Sequence, residues 1–231
     1  MRIVSVVQRK GGAGKTTLAV NLAGELARRG GRVVLVDTDP QGSAYDWALP
    51  RRLAFVVRHD VPSAANASSW IEGVKALAAH VVILDSPADL GSIFNLCVRV
   101  ADLMLVPCGP SSLDLNVTRQ TLARAAAIDR ALNREGPARL LVPTRVDLIE
   151  PEGMQIAPAL AEFGSRVAPP MSLDMAYVRA FTAGQTISAF APGSFADLEM
   201  RAIADAVLLA LRTAPPQRTV PDPLGDDRKS V

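Results

Sequence analysis

Two of the four lysines in the chain lie five positions apart in one glycine-rich loop, Lys10-Gly11-Gly12-Ala13-Gly14-Lys15-Thr16-Thr17. The other basic residues are nearly all arginine, so lysine at positions 10 and 15 reads as a chemical requirement. Glycines let a backbone bend around an anion with its N–H groups turned inward. A helix starting behind the loop adds positive potential at the same place. Gly14-Lys15-Thr16 has the spacing for an ammonium on β- and γ-phosphates and a hydroxyl on Mg²⁺, with Thr17 near the α-phosphate. The usual pattern has a glycine five positions before Gly14. That position is Arg9 here, so the loop is a variant with Lys10 inside it. A second ammonium at one phosphate site is repelled by the first. Either Lys10 points outward and serves a nucleotide held by another subunit, or it is an exposed lysine without a role.

Acidic residues follow two apolar runs. Asp37 ends Val33-Val34-Leu35-Val36, and Asp85 ends Val81-Val82-Ile83-Leu84. Ligands in open α/β sheets bind beyond the carboxyl ends of the strands. Asp85 therefore suits a water-mediated Mg²⁺ contact, with helix capping or fold support as the plainer reading. Asp39, two residues past Asp37, is placed to orient an attacking water. Asp37 either holds the loop or approaches the Mg²⁺. A turn capping a helix at Ser43 is the alternative for this segment. Asp89, after Pro87, belongs to a second switch loop or is a surface aspartate.

These residues need a frame. Residues 2–7 form a buried strand pattern, 8–15 the loop, and 16–29 an amphipathic helix with Leu18, Leu22 and Leu26 on one stripe. Gly30 and Gly31 stop that helix. Further strands are expected at 33–36, 55–57, 81–84, 103–106 and 140–142, and one ending at Val167. Helices are expected at 64–79, 91–100, 111–133, 154–163, 174–182 and 196–211. Continuously apolar strands alternating with helices predict a mainly parallel sheet covered on both faces. Residues 1–211 form this domain, and the proline-containing, charge-balanced segment 212–231 reads as a disordered tail.

Composition narrows the function classes. The chain has 231 residues, 49% hydrophobic, with a net charge of +2, so it is no general polycation. Cys97 and Cys108 make no CxxC pair and read as buried thiols of a reducing cytoplasm. No apolar run reaches membrane-span length, and no signal-peptide layout opens the chain.

Together these residues resemble the ParA/MinD family of deviant Walker A ATPases, in particular the short ParA type. The match covers residues 1–211. It rests on the loop at 10–17, on Asp37-Thr38-Asp39-Pro40-Gln41-Gly42-Ser43 as a first switch segment, and on Asp85-Ser86-Pro87 as the start of a second. The resemblance implies an α/β, three-layer P-loop NTPase fold with a mainly parallel central sheet. It implies ATP and Mg²⁺ as cofactors and hydrolysis of ATP to ADP and phosphate that is weak without the partner. It assigns catalysis to Lys10, Lys15 and Asp39, with Lys10 crossing a homodimer to the partner's phosphates. Metal binding falls to Thr16, Asp37 and Asp85, and base contacts to Thr144 and Arg145. The family segment near the dimer interface matches residues 103–114, with Pro107, Pro110 and Asp114. Implied partners are non-specific DNA, through Arg179 and Arg201, and a cargo adaptor of ParB type. The ATP-bound form would then be nucleoid-associated. Ala88 stands where the family often has a second proline. The chain opens on its first strand, so an operator-binding N-terminal domain is not expected.

Three rivals share the loop chemistry. A MinD-like ATPase on a membrane needs an amphipathic C-terminal helix, which the polar tail does not supply. A redox or cofactor-assembly ATPase with a shared cluster needs better placed thiolates than Cys97 and Cys108. A small-molecule kinase needs an acceptor pocket that no motif indicates.

Overall fold

The computed structural model describes residues 1–89 and 91–213. The expected tail falls almost wholly outside these residues. The chain runs β1 (Arg2–Val6), α1 (Lys15–Arg28), β2 (Val33–Asp37), α2 (Ser43–Ala48), β3 (Val56–His59), α3 (Ala67–Lys75), β4 (Val81–Asp85) and α4 (Ser92–Val100). It continues through β5 (Leu103–Cys108), α5 (Ser112–Ala131), β6 (Ala138–Val146), α6 (Pro151–Ala161), β7 (Arg166–Val167), β8 (Met171–Ser172), α7 (Met175–Thr182), α8 (Ile187–Phe190) and α9 (Phe195–Thr213). The strand order is β3-β2-β4-β1-β5-β6-β7, with β8 joined to β6. Every pairing is parallel. The first strand lies in the middle, so the loop that follows it opens at the centre of the sheet's carboxyl edge.

Side chains of a strand alternate between faces, and the core divides accordingly. Val4, Val6, Leu103 and Leu105 pack with α1 and α9, whereas Ile3, Val7, Met104 and Val106 pack with α3, α4 and α5. Helices therefore cover both faces, as the apolar strands predict.

Several boundaries move for local reasons. Strands β5 and β6 run through Pro107 and Pro143, where the sequence suggests they end. Both prolines lie in the last two rungs of the β5–β6 ladder, so each missing N–H falls where that pairing is ending, and β6 runs on past Pro143 to Val146 beside β8. Helix α3 is shorter than 64–79 and starts after Asn66, whose carboxamide oxygen instead accepts the Ser63 N–H. Helix α6 starts earlier than residue 154 because Pro151 occupies its first turn, where no N–H is needed. Ser111 caps α5, its hydroxyl accepting the Asp114 N–H at 3.1 Å. Strand β8 and helix α8 are too short to leave a periodic signal.

Candidate nucleotide site

The loop at 10–17 joins the central strand to α1. Gly12 and Gly14 have φ of 70° and 88°, a left-handed backbone open to glycine. Gly14 is also the N-cap of α1 and offers no side chain to that helix's first N–H groups. Those donors are left for an anion. Thr144, at the end of β6, fastens the loop from below by donating its hydroxyl to the Ala13 carbonyl at 2.8 Å. Lys15 is buried, and its Nζ folds back to the Lys10 carbonyl at 3.3 Å. Burial lowers its pKa, while the charges of Asp85, Asp39 and Asp89 act in the opposite direction. An ammonium held this way faces the ground that phosphates would fill.

Parallel pairing of β2 and β4 sets Asp37 opposite Asp85. Both Asp85 oxygens are buried and lack a hydrogen-bond partner. Burial pushes its pKa to about 7 against the pull of Thr16 and Lys15, with Asp37 and Asp39 adding to the rise. A buried carboxylate left unpaired is costly. A hydrated divalent cation beside Thr16 would relieve it, since Mg²⁺ commonly keeps several waters and takes few protein ligands. No group of three His, Cys, Asp or Glu suited to a metal exists among the described residues, so this site would be completed by Thr16 and phosphate oxygens. The residues present fit that ion.

Asp37 has different surroundings. Its Oδ1 accepts the Asp39 N–H at 3.1 Å, and its Oδ2 accepts those of Ala44 and Tyr45 at 2.9 and 3.0 Å. It thereby shapes the turn and caps α2. Burial raises its pKa, and these N–H groups oppose the rise. Asp39 is half-buried at the cavity wall, where Oδ1 accepts the Gln41 N–H at 2.9 Å. His59, on the edge strand β3, lies 3.0 Å from the Asp39 carbonyl and stacks on Tyr45. Nothing in the sequence links His59 to this loop, because the contact depends on β2–β3 pairing.

Lys10 lies outside the cavity wall. Its Nζ meets Asp114 Oδ1 at 2.7 Å, near the start of α5. The Ser111 hydroxyl also donates to Asp114, and Arg145 approaches it at 3.7 Å. Burial alone would raise the Asp114 pKa, but Lys10 and Ser111 outweigh it and hold the carboxyl below its ordinary value.

A cavity of about 420 Å³ runs from residues 11–17 to the segment between β8 and α7. Met171, Ser172, Leu173, Asp174, Tyr177 and Val178 line the far end. Sequence reasoning missed these, since a two-residue strand carries no pattern. Of the two residues expected at a base, Arg145 lines the cavity and Thr144 lies beneath the loop. Arg179 is exposed on α7. Arg201 is bound at 2.6 Å to Asp197 on its own helix, which leaves it less available to another phosphate.

A family model described as the CobQ/CobB/MinD/ParA nucleotide binding domain matches residues 4–187. The Gloeobacter kilaueensis maintenance of carboxysome distribution protein A is 38% identical over 148 residues, covering 63% of this chain and 64% of that protein. The match thus spans just under two thirds of that relative. The Thermus thermophilus chromosome-partitioning ATPase Soj is 27% identical over 246 residues, covering 93% and 98% of the two chains. McdA of Cyanothece, solved without nucleotide, superposes with a TM-score of 0.75 at 19% identity, covering 90% and 99%. The likeness to that structure speaks for the fold. With the loop, the paired aspartates and the family match in agreement, the chain belongs to the CobQ/CobB/MinD/ParA family, the deviant Walker A P-loop ATPases.

Proposed function

We propose that this chain is a ParA-type ATPase that dimerises around Mg-ATP, binds DNA without sequence preference in that state, and positions a plasmid, chromosome or other large cargo. The observation that carries the reading is the division of labour between the two lysines. Lys15 lines the cavity, whereas Lys10 stands outside it on Asp114. An ammonium placed off its own phosphate site, at the start of α5, can serve another's once it leaves Asp114. Relatives named for carboxysome distribution and chromosome partition support the cargo class.

In this reading the N–H groups of residues 11–16 and the Lys15 ammonium bind the triphosphate. Thr16 and Asp85 would hold the Mg²⁺. The ion supplies charge neutralisation at the phosphates. Asp37 fixes the turn that presents Asp39, and Asp39 orients the attacking water. Met171, Leu173 and Val178 provide apolar surface for a base, with Arg145 at the cavity wall. Lys10 from each subunit reaches the partner's phosphates, so loss of the γ-phosphate weakens the dimer. A cargo adaptor of ParB type would accelerate that loss.

DNA binding rests on arginines and is the least local part of the reading. Arg179 is the better placed of the two candidates, because Arg201 is already paired. No helix among the described residues is long and apolar enough to cross a membrane. The test is a titration with DNA of mixed sequence in ADP, in ATP and in a non-hydrolysable analogue. ATP-selective binding that weakens steeply with salt supports the proposal. Equal binding in all three states, or none, counts against it.

A further inference from the structure

Asp114 is buried and has two cations within reach, one nearer than the other. Lys10 Nζ lies 2.7 Å from Oδ1, and Arg145 Nη2 lies 3.7 Å from Oδ2. The Arg145 backbone has a φ of 55°, a left-handed conformation that a non-glycine residue rarely adopts. Space for its guanidinium comes from Gly109. A Cβ at that position would stand 2.7 Å from Arg145 Nη2 and 2.9 Å from Asp114 Oδ2. The Arg145 Nε is buried without a partner, so the guanidinium has hydrogen-bonding capacity in reserve.

This arrangement bears on how Lys10 can leave. Removing one partner of a buried ion pair strands the other charge at a large cost. A lysine bound only to Asp114 would therefore resist release. A second cation already at 3.7 Å changes that balance, because it can close on the carboxylate as the first departs. Arginine suits the task, having several N–H donors and no neutral form near pH 7.

We propose that Asp114 is a positioning residue that holds Lys10 in the unassembled chain, and that Arg145 replaces Lys10 on Asp114 when Lys10 crosses to a second copy. The exchange rests on the dimer reading above. It gives Arg145 a task different from contact with a base.

Four variants and two readouts test it. The first readout is the labelling rate of Lys10 by an amine-reactive reagent in nucleotide-free protein, followed by peptide mass mapping. Asp114→Asn should raise that rate about tenfold, since the ammonium loses its partner. The second is the dimer dissociation constant from sedimentation in Mg-ATP. Arg145→Gln should weaken the dimer about tenfold, and Arg145→Lys should recover much of the loss. Asp114→Asn with Arg145→Gln should restore dimerisation, because no buried charge is then stranded. A base-contacting arginine predicts no such rescue. Unchanged Lys10 labelling in Asp114→Asn, or a double variant as impaired as Arg145→Gln, would overturn the exchange alone. A parent chain that stays monomeric in Mg-ATP would overturn the dimer reading and the exchange with it.

Discussion

Asp37 and Asp85 end neighbouring parallel strands opposite each other, yet only Asp37 has its carboxylate satisfied by the protein. Two residues alike in type and sequence setting thus have different surroundings. Asp37 spends its oxygens on the turn and α2. Asp85 receives no backbone N–H on either oxygen and sits beside the Thr16 hydroxyl and the phosphate loop. The difference arises from the chain after each strand, which curls back over Asp37 to give it three N–H groups.

The state of Asp85 gives a pH dependence. Its folded pKa of about 7 lies above the ordinary aspartate value, so the folded chain binds more protons than the unfolded one in between. Its contribution to stability therefore falls as pH rises from about 4 to about 7. Denaturant midpoints at pH 5 and pH 7.5, without nucleotide, should show the parent losing more stability than Asp85→Asn over that interval. An identical loss in both proteins would mean that Asp85 is not the group responsible.

Asp37→Ala should destabilise the nucleotide-free chain by about 1–3 kcal/mol, with or without Mg²⁺, because buried N–H groups lose their acceptor. Urea unfolding measures this. A loss of stability seen only in Mg²⁺ and nucleotide would instead make Asp37 a metal ligand.

Lys15→Ala should reduce ATP affinity about 30-fold or more, the scale for truncating a buried charge contact. Calorimetry with Mg-ATP is the measurement. Affinity within a factor of two of the parent would remove Lys15 from the phosphate site.

Asp39→Ala should slow single-turnover hydrolysis about 100-fold while ATP still binds, in keeping with a group that acts on the attacking water. Turnover equal to the parent's would assign the Asp39 carboxylate to its turn alone.

Much of this site was legible because its logic is local. The loop, its lysines and the strand-ending aspartates each follow from a run of fewer than ten residues. The alternation of apolar strands and helices predicts the parallel sheet for the same reason. What stayed hidden depends on contacts across the chain. Lys10 and Asp114 are over 100 positions apart and meet because β1 and β5 are neighbours. His59 reaches the Asp39 carbonyl through the β2–β3 pairing. The far wall of the cavity comes from β8 and α7, where two strand residues give no periodicity. Pro107 and Pro143 mislead in the other direction, since a proline at the end of a ladder does not stop the strand.

The division of labour between the lysines is tested most directly by sedimentation of the parent and Lys10→Ala in Mg-ATP and Mg-ADP, with nucleotide affinity measured alongside. The expected result is a parent dimer only in ATP, and a Lys10→Ala chain that binds ATP yet remains monomeric. ATP-driven dimerisation of equal strength in both proteins would contradict a lysine that acts across the interface.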